Sequence, residues 1–445
     1  MVESPRPLGI LCACAVLSVL FLLPAAVSAV YDSWTYTPGS DVSGVTMTPD
    51  GSTVLVGGGR IHVLNPDGTI LWKKWFGDHI SISANSNTVI CTFGSQIYRY
   101  TGDGKFCWDI AVESKPRDVV VTPDGSRIIV GDATGTVSFI DAAGEIIREF
   151  VTDKGTDIRD VAISGNGNTI GVISPAGTWC FSKYGNMRWK KDDRIQGDGG
   201  QCLALSRDGG EIAAGCGEIL RYLNTSGGVV WKHDCVRSIT AVAISGTGEY
   251  VTAATQSNML LFFTADGTLQ WDFNLGKSSE GGEITGPGIR DLCPDRIEDG
   301  WVQDIAISED GEWILTGSTN KMVRLFSNDG SLVWSERADN PVDYVALTED
   351  GSLGIAATES QVISVVRRPD PEPTPAPVPP DVAPPVIPVV PSPPPEDPDI
   401  LPPPVVAASP EPHSPAEMLR EFLSGVGTDN DVLRMIPILM TIPFR

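Results

Sequence analysis

The side chains of this sequence that could do chemistry occur at one position of an internal repeat. Three copies of the repeat have aspartate there and one has histidine. The full set is Gly44, His79, Asp118, Asp160, Cys202, Ala241, Asp304 and Tyr344. Carboxylates around one opening could hold a hard cation such as calcium. Alternatively, each aspartate caps backbone amides of its loop. No calcium-loop spacing is present, so we expect no cofactor, with calcium as the alternative.

The repeat itself must position these residues. Each copy has a short apolar run, a turn that usually contains Asp-Gly, and a second apolar run, as in Val121–Val130. The turn position recurs about every 40 residues, which is the length of one four-stranded blade. Its occupants are Gly51, Ser86, Gly125, Gly167, Gly209, Gly248, Gly311 and Gly351. Such units bury their faces only against neighbours, so the sequence predicts an all-β, closed β-propeller.

The two ends of the repeat array are out of phase. A tryptophan follows the second turn of nearly every unit, although the third unit has Arg148 instead. Trp34 belongs to this series but precedes the first complete unit, whereas Val345–Val366 supplies strands a, b and c without a fourth strand d. We therefore expect both ends to share one composite blade, which gives eight blades over residues 30–368. Such a closure removes an open sheet edge.

The flanking segments predict export and a spacer. Residues 1–29 read as a secretory signal, with Arg6, an apolar core and the small residues Val27-Ser28-Ala29; an uncleaved membrane anchor is the alternative. Residues 369–415 are Pro-rich, which is typical of a disordered or extended linker. Residues 416–445 read as a short helical and apolar tail, too short and too interrupted to span a membrane. We expect a secreted or cell-envelope protein.

The net charge of the chain argues against one class of partner. The net charge is −24, and only 20% of the residues are charged. An acidic body repels phosphate backbones, so we exclude nucleic acid as a partner. We expect a monomeric propeller that binds protein or glycan.

The repeat phrases resemble known propeller families. Residues 119–127 and 305–311 are similar to repeats of secreted microbial propellers of the WD-like class, and Asp329–Trp334 resembles pyrroloquinoline-quinone-type repeats. The resemblance covers about residues 31–368 and implies a propeller, commonly with eight blades. Both enzymes and scaffolds use such folds. A cytochrome-type Cys-x-x-Cys-His motif and a vicinal cysteine pair, which a quinone-dependent dehydrogenase would need, are absent from the sequence.

Several further residues are assigned from their place in the repeat. Cys202 and Cys216 flank one hairpin turn, so we expect a disulfide there, and Cys235 with Cys293 could form a second; four thiolates on a metal are the alternative. Asn224-Thr225-Ser226 is a glycosylation sequon.

One interval, between Gly248 and Gly311, is much longer than the others and contains the polar insert 276–300. Long loops in compact domains are often functional. We place binding on the face that holds this insert, with the candidate residues His79, Asp118, Asp160, Asp304, Tyr344, Arg290 and Asp291. We expect a non-catalytic binding or scaffold module. The alternative is an extracellular enzyme acting on polysaccharide, or a quinone-dependent oxidation.

Overall fold

The computed structural model describes residues 31–152, 156–192, 201–275 and 300–367. All of them belong to one compact unit, residues 1–374. These ranges fold into strands without helices. The predicted signal, linker and tail, and residues 276–299 of the insert, lie outside the described residues.

The strands follow the turn pattern of the sequence. In chain order they are β1 (Tyr31–Asp32), β2 (Thr35–Tyr36), β3 (Val42–Met47), β4 (Val54–Leu64), β5 (Ile70–Gly77), β6 (Ile80–Ile82), β7 (Thr88–Phe93), β8 (Gln96–Thr101), β9 (Phe106–Ala111), β10 (Pro116–Val121), β11 (Arg127–Asp132), β12 (Thr136–Asp141), β13 (Ile146–Val151), β14 (Asp160–Ile163), β15 (Thr169–Ser174), β16 (Gly177–Ser182), β17 (Met187–Lys191), β18 (Gln201–Leu205), β19 (Glu211–Cys216), β20 (Ile219–Asn224), β21 (Val229–Asp234), β22 (Ile239–Ile244), β23 (Tyr250–Thr255), β24 (Met259–Thr264), β25 (Leu269–Asn274), β26 (Val302–Ile307), β27 (Trp313–Ser318), β28 (Met322–Ser327), β29 (Leu332–Arg337), β30 (Val342–Leu347), β31 (Leu353–Thr358) and β32 (Val362–Arg367).

These strands form eight antiparallel sheets, which confirms the predicted eight-bladed propeller. Blade 1 contains β3–β5, and blades 2 to 7 contain four consecutive strands each. Blade 8 joins β30–β32 to the N-terminal strands β1 and β2, which both pair with β32. The a–b and c–d turns lie on one face of the ring, and the b–c and d–a connections lie on the other.

Blade 1 departs from the expected four separate strands. Strands b and c form one element, β4, whose residues 54–58 pair with β3 and whose residues 58–64 pair with β5. Gly57, Gly58 and Gly59 occupy the point where b gives way to c. Glycine has no side chain to obstruct this close passage, so no separate turn segment is needed.

The a–b turns are held by the residues of the repeated phrase. In blade 3, Thr122 Oγ1 donates to Asp124 Oδ1 over 2.6 Å, and the Ser126 amide donates to the same oxygen over 2.9 Å. Gly125 adopts a φ of 70°, a conformation that residues with side chains rarely adopt. The recurring Asp-Gly therefore builds turns, and its carboxylates are engaged in them.

The series of tryptophans joins six pairs of neighbouring blades. The indole N–H donates to a carbonyl in the c–d turn of the following blade, at 2.7–3.0 Å. The pairs are Trp34 to Pro66, Trp72 to Gly102, Trp108 to Ala142, Trp189 to Thr225, Trp231 to Ala265 and Trp271 to Asn328. Arg148 takes the same role in blade 3, because its Nη1 donates to Asn186 Oδ1 over 2.9 Å.

The composite blade 8 is joined to blade 1 by the same kind of tryptophan contact. Trp34 of the N-terminal segment docks on blade 1, and its backbone amide donates to Ser364 Oγ over 2.9 Å. Next to it, a hydrogen bond of 2.7 Å joins Tyr36 Oη and His62 Nδ1, and His62 is buried in blade 1. The N-terminal strands therefore bind blade 8 through their backbone and blade 1 through their side chains.

Two substitutions of Trp271 separate the contribution of its indole hydrogen bond from that of its ring packing. Trp271 donates to Asn328 and also stacks on Phe262 with ring centroids 5.0 Å apart. We expect Trp271→Phe, which keeps a ring, to cost about 1 kcal/mol of unfolding free energy. Trp271→Ala should cost about 3–5 kcal/mol. Equilibrium denaturation measures both; equal losses for the two variants would contradict a separate role for the indole N–H.

Candidate functional site

The candidate residues lie where strand a of each blade begins, beside the central channel. In blades 1, 3, 6, 7 and 8 a shift in strand register immediately precedes this position, as between Pro116 and Asp118. An extra residue at a β-bulge re-aims the side chain that follows it. The sequence therefore places one side chain per blade at this end of the channel, and we call these residues the channel ring.

The three aspartates of the channel ring bind backbone amides of the next blade. Asp118 accepts from the Val119 amide of its own strand and from the Val161 amide of blade 4, both over 2.8 Å. Asp160 accepts from Leu203 of blade 5 over 2.7 Å.

Asp304 repeats the pattern, accepting from Ile305 over 2.9 Å and from Val345 of blade 8 over 2.8 Å. Each carboxyl group thus joins strand a of two neighbouring blades. From the sequence, these aspartates could either bind a cation or cap backbone amides. The structure shows amide capping, with an amide supplied by the neighbouring blade in each case.

Burial makes these carboxyl groups hold their protons tightly. Burial, with the neighbouring charge and hydrogen bond of Asp118, raises the pKa of Asp160 to about 8. Burial alone raises the pKa of Asp304 to about 6, although two amides favour its ionised form. Burial likewise raises the pKa of Asp118 and lowers that of His79. Two hydrogen-bonded carboxyl groups favour sharing one proton over ionising together.

The remaining members of the channel ring are less polar. Burial raises the pKa of the Cys202 thiol and of the Tyr344 phenol. In the described ranges, no three His, Cys, Asp or Glu side chains are grouped so that they could hold a metal ion. Backbone amides of neighbouring strands bind all three carboxyl groups, which is the capping arrangement rather than a calcium site.

The opposite end of the channel contains a charged cluster that the sequence reading did not single out. Arg207 of blade 5 forms ion pairs with Glu309 of blade 7 and Glu349 of blade 8. Blade 6 contributes Gly246 between them, so no side chain blocks the crossing. These residues line a cavity of about 140 Å³ whose apolar wall is Leu205, Ile307 and Leu347.

Backbone hydrogen bonds reinforce this end of the ring. The Arg207 amide donates to Gly246 over 2.9 Å, the Glu309 amide donates to Glu349 over 2.8 Å, and the Glu349 amide donates to Pro49 over 2.9 Å. Aligning the repeats two positions before the turn glycine would have revealed the cluster. That position holds Pro49, Ala84, Pro123, Gly165, Arg207, Gly246, Glu309 and Glu349.

The predicted disulfide between Cys202 and Cys216 is wrong, because both residues are thiols in the structure. Cys202 pairs with Gly215, and Cys216 pairs with Gln201. Paired residues share a face of the sheet, so the two cysteines point to opposite faces. Cys202 packs towards blade 6 and Cys216 towards blade 4.

This assignment predicts a result from alkylation. After denaturation without reductant, Cys202 and Cys216 should both react with iodoacetamide, since neither sulfur is bonded to the other. Peptide mass spectrometry of the digest checks this. A peptide pair linked through these two residues would contradict the observed register, and a reduced sample serves as the control.

The structure describes some of the other predicted residues but not all of them. Cys235 is a buried thiol in blade 5's d–a connection, while Cys293, Arg290 and Asp291 lie outside the described residues. Asn224 is exposed in a c–d turn, where its Oδ1 accepts from the amide of Ser226 over 3.1 Å. Its glycosylation stays a prediction. The described ranges contain no helix long and apolar enough to cross a membrane.

Comparisons with known proteins agree with the repeat. Residues 295–327 match the family model of the WD domain, G-beta repeat. No curated protein sequence matches the chain. The propeller is similar to Sqt1 from Chaetomium thermophilum, solved bound to the N-terminus of ribosomal protein L10, with a TM-score of 0.60 and 14% identity over 74% of this chain and 97% of that one.

A second solved structure, the Dos1 propeller, has a TM-score of 0.59 and 12% identity, covering 76% of this chain and 95% of that one. At such identities the likeness shows the fold alone. The chain is therefore an eight-bladed β-propeller in which one repeat matches the WD model, in agreement with the resemblance found in the sequence.

Proposed function

We propose that this chain is an exported, non-catalytic binding module that presents the b–c/d–a face of its propeller to a protein partner at the cell envelope. The observation that carries the proposal is the use of the channel ring. Its three carboxyl groups are engaged by backbone amides of adjacent blades, as a scaffold requires, rather than directed at an open site.

Exposed apolar side chains on the b–c/d–a face support a binding role for it. Val236, in the connection from blade 5 to blade 6, is 84% exposed, and Trp301, directly after the insert, is 42% exposed. Large exposed apolar side chains on one face of a protein can take part in protein contact. Sqt1, a propeller of similar fold, was solved with a segment of another protein bound.

The proposal is tested by site-specific cross-linking in cells that make the full chain. A photoreactive amino acid at Val236 should give an adduct with a partner protein. The same probe at Ala143, an exposed residue of a c–d turn on the opposite face, is the matched control. Adducts at Ala143 alone, or at neither position, would overturn the proposed face.

Export is tested separately. Residues 1–29 should be absent from the mature protein, which should begin at Val30 and be found in the envelope or medium fraction. N-terminal peptide mass spectrometry of fractionated cells measures both. A cytoplasmic chain that keeps these residues would overturn the export part of the proposal while leaving the binding face untouched.

One observation favours the enzyme alternative. Asp160 keeps its proton near neutral pH beside Asp118, and paired carboxyl groups with different proton affinities can act as acid and base. On this alternative, Asp160→Asn would abolish hydrolysis of an envelope polysaccharide while leaving the Val236 adduct intact. Under the proposal, purified wild-type protein releases no reducing sugar from that material.

A further inference from the structure

The outer edge of blade 1 differs from the other outer edges of the propeller. Strand β5 is the last strand of its sheet and is eight residues long, whereas the d strands of blades 2 to 7 have five or six. Within the described chain no strand pairs with its outer side. Such an edge presents free backbone donors and acceptors to an incoming strand.

Basic and aromatic side chains flank this edge. Arg60 pairs across the strands with Trp75, and its guanidinium lies 3.7 Å from the centre of an indole ring. Trp75 is nevertheless 63% exposed, the largest value among the described tryptophans. Lys73 shares the face of Trp75, since residues two apart in a strand point the same way, and Lys74 projects from the opposite face. Both lysines are exposed.

The positive charge of this edge is not neutralised locally. Arg60, Lys73 and Lys74 take part in none of the salt bridges formed among the described residues. Their effect is felt nearby, because Lys73 and Arg60 add to burial in lowering the pKa of His62. In a chain with a net charge of −24, three unpaired cations beside an exposed tryptophan form a local exception.

We propose that an extended, acidic segment of a partner protein adds to the free edge of β5 as a further strand. Its backbone would pair with β5, its carboxylates would meet Arg60, Lys73 and Lys74, and an apolar side chain would lie against Trp75. Strand addition of this kind takes affinity from backbone hydrogen bonds and specificity from side chains. The inference goes beyond the proposed function, because it names a second surface and the chemistry of what that surface binds.

Charge repulsion also argues against a second copy of this chain as the segment that pairs with β5. Two β5 edges brought together would bring the lysines of both strands close to each other, and like charges across strands repel. A sulfated or carboxylated polysaccharide would meet the cations but cannot pair with the strand backbone. The combination of free edge and cations therefore favours an acidic protein segment.

The test uses the full chain and a fluorescent peptide of alternating glutamate and valine. Binding is measured by anisotropy, and hydrogen exchange reports whether residues 70–77 become protected. We expect the double variant Lys73→Glu, Lys74→Glu to bind at least about tenfold more weakly. Trp75→Ala should weaken binding about threefold or more. Lys232→Glu is the matched control, because Lys232 follows Trp231 in β21 as Lys73 follows Trp72 in β5.

Several outcomes would overturn the inference. Equal binding of a lysine–valine peptide would remove the role of charge, and equal loss in Lys232→Glu would remove the role of β5. Binding of dextran sulfate but not of the peptide would assign the edge to an anionic polysaccharide. Adducts at Val236 without peptide binding would overturn this inference alone, whereas peptide binding without those adducts would overturn only the proposed face.

Discussion

Replacing residues 31–36 with a glycine–serine linker should destabilise the whole propeller. These residues supply the d strand of blade 8, dock Trp34 on blade 1 and place Tyr36 2.7 Å from His62. Losing a docked tryptophan and several hydrogen bonds should cost about 5 kcal/mol. For a domain of this size we expect the Tm to fall by about 10 °C.

Thermal unfolding followed by circular dichroism measures this effect. The matched control is Trp108→Ala, which removes the same docking contact from a continuous blade and leaves the seam between the chain ends intact. The linker variant should be the less stable of the two. If it unfolded at the wild-type temperature, the composite blade would contribute nothing to closure of the ring.

The stability of the protein should fall as pH rises through 8, and Asp160→Asn should remove part of that dependence. An acid whose pKa is higher in the folded state binds its proton more tightly there. Its contribution is therefore fully present below the unfolded pKa of 3.8 and is lost as pH rises through the folded value of about 8. Asparagine keeps an oxygen for the Leu203 amide and has no proton to lose.

The measurement is Tm against pH, from 5 to 9, for both proteins. We expect a shallower decline for Asp160→Asn than for wild type. Asp124→Asn is the control, because hydrogen bonds from its turn lower the pKa of Asp124 to about 2. The contribution of Asp124 is lost only as pH falls through that value, so its substitution should leave the alkaline slope unchanged. Parallel slopes for wild type and Asp160→Asn would contradict the assignment.

The fold was predictable because its signals are local and repeated. Each Asp-Gly turn specifies its own hairpin, and the unpaired Trp34 at one end and the missing d strand at the other specify the shared blade. The passage from b to c in blade 1 was not predicted. It depends on three consecutive glycines whose lack of side chains permits the close passage, a feature that occurs in one unit only.

The position of the channel ring was predictable from the sequence, but the hydrogen-bond partners of its residues were not. The repeat alignment brought Asp118, Asp160 and Asp304 to one end of the channel, but their partners lie in neighbouring blades, and the repeat alone does not give the register between blades. The cysteine error has the same origin. Shifting a hairpin by one residue moves a side chain to the other face, and the turn sequence around Gly209 did not distinguish the two registers.

The shared blade also has a consequence for how the chain folds during synthesis. The Trp34 amide and Ser364 Oγ that close the ring are 330 residues apart, so the first strand to emerge is among the last to find its partner. Until then β1 and β2 cannot form their sheet, and the side-chain contacts that join blades 1 to 7 can form in order without them. Contacts between such distant residues form slowly and leave strand edges open to aggregation. The ring therefore stays open until the strand Val362–Arg367 has been made.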